Sequence, residues 1–66
     1  MQITLNGVPL VVSEPLTVAE LLAQLNLSPR QVAVEVNREV VPRSGHEQHT
    51  ILSNDSVEIV TLVGGG

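Results

Sequence analysis

Only one stretch of this sequence, residues 16–26, places its apolar side chains at helical spacing. Val18, Leu21, Leu22 and Leu25 fall at i, i+3, i+4 and i+7, a single stripe along one side. Thr17 and Glu20 stand in the T-x-x-E pattern, in which each side chain satisfies a free amide at the helix start. Leu16 and Leu21 occupy the staple positions across that cap. Asn26 is suited to a left-handed stop, and Ser28-Pro29 prevents continuation. One helix with one stripe covers one face of one sheet, so the rest of the chain must supply that sheet.

The remaining segments read as strands. Residues 2–6 alternate polar and apolar, Asn6-Gly7 takes the positive φ angles of a tight hairpin turn, and residues 8–13 return. Pro9 has no amide to donate to a ladder, so this second strand is expected at a sheet edge or with that position directed outward. Val32, Val34 and Val36 share one face of a third strand, and Asn37-Arg38 turns the chain into a short strand, residues 39–41, that Pro42 ends. Residues 43–49 are polar and irregular, residues 50–52 read as a brief extended piece, and residues 53–56 as a turn. The last strand is expected over residues 57–63. Hairpin, helix, hairpin-like pair, loop and final strand predict an α+β chain: a β-grasp (ubiquitin-like) roll with a mixed sheet and one helix packed across one face. Its first and last strands are expected to be parallel and central. The domain is expected to span residues 1–63, with residues 64–66 a flexible C-terminal glycine tail that leaves the sheet for solvent.

The core must be aliphatic. Twelve Val, nine Leu and three Ile stand against no Phe, Tyr, Trp or Cys. The absence of cysteine excludes disulfides, thiolate metal sites and cysteine nucleophiles. Seven acids against three arginines give a net charge of −4. That balance, without base-stacking aromatics, argues against nucleic acid. No apolar run has the length of a membrane span, and the amino terminus carries no signal-peptide pattern, so a cytoplasmic protein is expected.

The candidate for chemistry is the run Gly64-Gly65-Gly66. A terminal carboxylate is ionised at neutral pH. From Leu62 to Gly66 an extended backbone reaches roughly 13 Å. A cord without Cβ atoms enters a channel too narrow for other residues, which suits delivery of the Gly66 carboxylate into another protein's active site. In the last strand Val57 and Ile59 suit the buried face, which leaves Val60 and Leu62 pointing the other way. With Val63, they form a candidate partner-binding surface beside the tail. His46 and His49, spaced i and i+3 near Glu47, are too few for a metal site without further ligands and read as surface histidines. Glu35 and Glu39 flank a turn and read as solvated charges, with Glu35 on the outward face. No P-loop, G-x-S-x-G or H-E-x-x-H motif occurs.

The stretch Val36-Asn37-Arg38-Glu39-Val40-Val41-Pro42-Arg43, an acidic residue before Val57-Glu58-Ile59-Val60, the short T-V-x-E-L-L helix and the Gly-Gly end together resemble the ThiS family, sulfur carriers of thiamine biosynthesis. The resemblance runs along essentially the whole chain. It departs from the family at Asn54-Asp55, where a Gly-Asp pair is usual, and after Val-Pro-Arg, where Gly45-His46 stands in place of an aromatic. The resemblance implies a carrier, not an enzyme. An adenylyltransferase (ThiF-like), using ATP and Mg²⁺, would activate the Gly66 carboxylate. A sulfur donor protein carrying a persulfide would convert it to a thiocarboxylate, and thiazole synthase (ThiG-like) would accept the sulfur. No cofactor is expected on the carrier itself. Two alternatives stay open: the small subunit of molybdopterin synthase, which uses the same fold and tail, and a non-covalent β-grasp interaction module with incidental glycines.

Overall fold

A computed structural model describes residues 1–62. Val63, Gly64, Gly65 and Gly66, and with them the expected tail and the end of the expected last strand, lie outside the described residues.

Strand β1 (Gln2–Leu5) and β2 (Val8–Val11) form the opening hairpin, joined through Asn6 at φ 49° and Gly7 at φ 82°. These are the left-handed angles that a two-residue turn demands. β3 (Leu16–Thr17) is a two-residue strand leading directly into helix α1 (Val18–Gln24). β4 (Val32–Val36) and β5 (Glu39–Val41) form a second hairpin through Asn37 and Arg38, at φ 52° and 70°. β6 (Thr50–Ile51) precedes β7 (Ser56–Thr61).

The main sheet has the order β2-β1-β7-β4-β5. β7 runs parallel to β1, pairing Thr4 with Ser56 and Leu5 with Val57, and antiparallel to β4, from Val36–Val57 to Val32–Thr61. First and last strands are therefore neighbours inside the sheet, and Pro9 sits on edge strand β2 as its missing amide requires.

α1 lies across one face. Val18, Leu21 and Leu22 are fully buried, and Leu25 packs against the cluster from its margin. They meet Ile3 of β1, Val34 and Val36 of β4, and Val57 and Ile59 of β7. The helix is shorter than its apolar stripe, because its ends are fixed by capping. At the start, Glu20 N–H donates to Thr17 Oγ1 at 3.1 Å and Thr17 N–H donates to Glu20 Oε1 at 2.8 Å. At the end Asn26 takes φ 59°, with Asn26 N–H donating to Ala23 O and Leu27 N–H to Leu22 O. That pair of bonds is the Schellman stop.

By sequence Leu16 and Thr17 stand at the entry to the helix. They also pair with Ile51 and Thr50 in a separate two-stranded sheet. The segment of residues 43–49 is more ordered than its polar composition suggests. Arg43–Gly45 forms a 3-10 turn, and the carbonyls of His46 and His49 accept the helix-start amides of Ala19 and Val18, each at 3.0 Å. A polar loop thus completes the helix cap.

Candidate functional site

β7 leads to the expected tail, and asparagine side chains hold it at its start and at Ile59. At its start Asn37 Oδ1 accepts Ser56 N–H at 3.0 Å, and Asn37 Nδ2 donates to Asp55 Oδ1 at 3.0 Å. Asp55 Oδ2 in turn accepts Leu52 N–H at 2.8 Å. Asn54 holds φ 71°, so asparagine serves the left-handed turn position in place of glycine. Asn37 and Asp55, two of the residues that carry the family resemblance, therefore clamp two turns together. Their work is structural.

Further along, β1 ends at Leu5 and its chain turns away. Asn6 continues the pairing with its side chain: Oδ1 accepts Ile59 N–H at 2.8 Å, and Nδ2 donates to Ile59 O at 3.1 Å. Past Ile59, β7 is paired on the β4 side, through Thr61 opposite Val32 and Leu62 N–H donating to Gln31 O at 2.8 Å. The chain is thus anchored as far as Leu62.

The face of the sheet opposite α1 presents Val60, Glu58 and Ser56 from β7, Ala33 and Glu35 from β4, and Val40 from β5. Alternation along β7 buries Val57 and Ile59 and leaves Val60 57% exposed; Leu62 beyond it is 47% exposed and Val40 67%. Val60 lies directly opposite Ala33, so these side chains form one apolar area at the tail end of the sheet. Exposed aliphatic side chains grouped on a flat face mark an interaction surface more often than scattered ones do. Val63, the third expected member of this surface, is outside the described residues, as are Gly64, Gly65 and Gly66.

The histidines do not both lie at the surface. His46 is 3% exposed, and its Nε2 lies 3.2 Å from Val41 O, which assigns the proton to Nε2. Its Nδ1 is buried without a partner. The surface assignment fails for His46 because residues 43–49 fold back onto the helix start. His49 is half-buried. Among the described residues no group of three or more His, Cys, Asp or Glu is placed to hold a metal, and no helix is long and apolar enough to cross a membrane. A cleft of about 490 Å³ is lined by Arg30, Arg43, Ser28, Ser44, His46 and Glu47. Its two arginines share it with one carboxylate.

Comparison with known proteins fits this geometry. A model of the ThiS family matches residues 2–66. The chain is 41% identical over 66 residues to the thiazole synthase of Paramagnetospirillum magneticum, covering 100% of this chain and 20% of that protein. A second thiazole synthase, from Magnetococcus marinus, is 38% identical with the same coverage. The chain thus spans only a fifth of these relatives. The sulfur carrier protein ThiS of Escherichia coli is 32% identical over 66 residues, 100% of both chains. The crystal structure of a thiamine biosynthesis protein (ThiS) from Geobacter metallireducens superposes with a TM-score of 0.87 at 39% identity, covering 100% of both chains.

Proposed function

The chain belongs to the ThiS family, and we propose that it is a sulfur carrier protein of thiamine biosynthesis whose cargo is held on the carboxyl carbon of Gly66. It is a carrier and not a catalyst. The observation that carries this reading is the construction of β7. Asn37 and Asn6 side chains fix it, its inner face is buried, and its outer face ends in Val60 and Leu62 where the glycine run follows. A rigid strand that ends in a glycine cord delivers a terminal group to a site on another protein.

The chemistry lies with partners. A carboxylate and a triphosphate repel each other, so an adenylyltransferase must bring Mg²⁺ and basic groups to let the Gly66 carboxylate attack the α-phosphorus of ATP. Pyrophosphate leaves, and the acyl-adenylate carries AMP as a good leaving group. The terminal sulfur of a persulfide on a donor protein displaces AMP to give an acyl disulfide. Cleavage of its S–S bond by a thiol leaves the thiocarboxylate. Thiazole synthase then takes the sulfur. The name shared by the relatives from Paramagnetospirillum and Magnetococcus, in which a segment like this whole chain forms a fifth of the protein, supports that last partner.

The carrier's own residues dock and present. Val60, Leu62 and Val63 supply apolar contact beside the tail, while Gly64 and Gly65 let it thread. The test is intact-mass spectrometry after incubation with ATP, Mg²⁺, adenylyltransferase and a persulfide donor. A gain equal to the exchange of one oxygen for sulfur is expected. No gain, with the same enzymes active on another carrier, overturns the reading. Thiazole formation on addition of thiazole synthase places the carrier in thiamine biosynthesis.

A further inference from the structure

Glu35 of β4 and Glu58 of β7 are directly opposed in the sheet register. Opposed residues on neighbouring antiparallel strands project to the same side, with Cβ atoms about 4.5–5.5 Å apart, and like charges so placed destabilise the pair. Glu35 is half-buried, and across β4 its other opposed neighbour is Val40; Ala33–Val60 is the next pair on this face along the two strands. No residue of the five strands is basic. Arg30, Arg38 and Arg43 all stand on connections. The free chain therefore places half-buried Glu35 beside exposed Glu58 on central strands, with Ala33, Val40, Val60 and Ser56 around them on the same face and no cation on the strands of the sheet.

Two carboxylates in this geometry present several acceptor positions converging from one surface. A guanidinium meets them with paired N–H donors in a fixed plane and tolerates an apolar surround better than an ammonium does. Like charges so opposed repel each other, and a cation standing between them is attracted to both. We propose that Glu35 and Glu58 receive a basic side chain, arginine by preference, from thiazole synthase docked on the open face, with that partner's apolar side chains against Ala33, Val40 and Val60. Charge complementarity defines the occupant. β7 defines its position, since Glu58 and Val60 stand on the strand that leads to the tail. The choice of thiazole synthase follows from the relatives of that name that contain a segment like this entire chain. The inference rests on the carrier reading and adds to it the charge of the partner's surface.

Isothermal titration of the full chain into thiazole synthase from the same organism tests it, at about 50 mM and about 300 mM salt, where screening of exposed charges differs strongly. The double variant E35Q/E58Q should bind roughly tenfold more weakly, the scale of one charge-assisted hydrogen bond, and should lose most of the salt dependence. E14Q, an exposed carboxylate on the connection after β2, should bind like the unmodified chain. The double variant should melt no lower than the unmodified chain, because it removes two opposed like charges. Binding of E35Q/E58Q within about twofold of the unmodified chain overturns the proposal. So does a lowered melting temperature, which would make the pair structural, or the absence of any binding by the unmodified chain. Intact-mass gain at the tail is read separately: gain without the predicted loss of binding sinks this inference alone, and absence of gain sinks the carrier reading.

Discussion

Replacing Asn6 by alanine should destabilise the domain far more than an exposed turn position ordinarily does. The side chain makes two hydrogen bonds to the backbone of Ile59, at 2.8 and 3.1 Å, in a partly buried setting where β1 no longer supplies a partner. At about 1 kcal/mol net per bond, their loss costs about 2 kcal/mol. Alanine must also hold the φ of 49° that Asn6 adopts, which adds about 1 kcal/mol. The sum of about 3 kcal/mol corresponds to a fall in melting temperature of roughly 12–24 °C for a domain of this size. N6G removes the same two bonds without the backbone penalty, so it should lose about 2 kcal/mol and melt above N6A. With no Trp or Tyr in the chain, unfolding is followed by far-ultraviolet circular dichroism. Amide exchange at Ile59 and Val60 should accelerate relative to Val57 in both variants. Losses below about 1 kcal/mol in both would refute the role of Asn6 as a surrogate strand.

Other positions offer independent checks. T17A removes one half of the reciprocal cap at the start of α1 and should lower stability by about 1 kcal/mol, measured by urea titration. L22A, a fully buried position under the sheet, should cost about 2–5 kcal/mol, enough to leave much of the chain unfolded at room temperature by the same assay. H46L gives up the bond to Val41 O but also removes the unpartnered buried Nδ1, so its melting temperature should fall much less than that of H46A, which leaves a cavity. V60T should leave the melting temperature nearly unchanged, since that side chain is exposed and threonine is also β-branched, while slowing thiocarboxylate formation or thiazole formation in the reconstituted system.

What the sequence disclosed was local. The T-x-x-E cap, the single apolar stripe, the Asn6-Gly7 turn and the stop at Asn26 all involve residues within a few positions of each other, where propensity and sterics decide the outcome. Alternation along β7 sufficed to place Val60 and Leu62 on the side away from Val57 and Ile59. Contacts across the chain were not legible. The β3–β6 pairing joins two-residue strands more than thirty positions apart, too short to carry a period. Asn6 reads as a turn residue and gives no sign of its bond to Ile59. His46 reads as exposed because histidine is polar, and its burial depends on residues 43–49 capping a helix far upstream. The opposition of Glu35 and Glu58 exists only once the β4–β7 register is known.

Removing Gly66 alone bears most directly on the claim that this scaffold serves to present one carboxyl group. The shortened and full-length chains should be melted side by side and then carried through the complete activation mixture with mass analysis of C-terminal fragments. The melting temperatures should agree to about 1 °C, because Gly66 stands five positions beyond the end of β7 at Thr61 and terminal residues contribute little to a fold. Only the full-length chain should take up sulfur, and only at Gly66. Equal sulfur uptake by the shortened chain, uptake elsewhere in the sequence, or a large drop in its melting temperature would contradict the account.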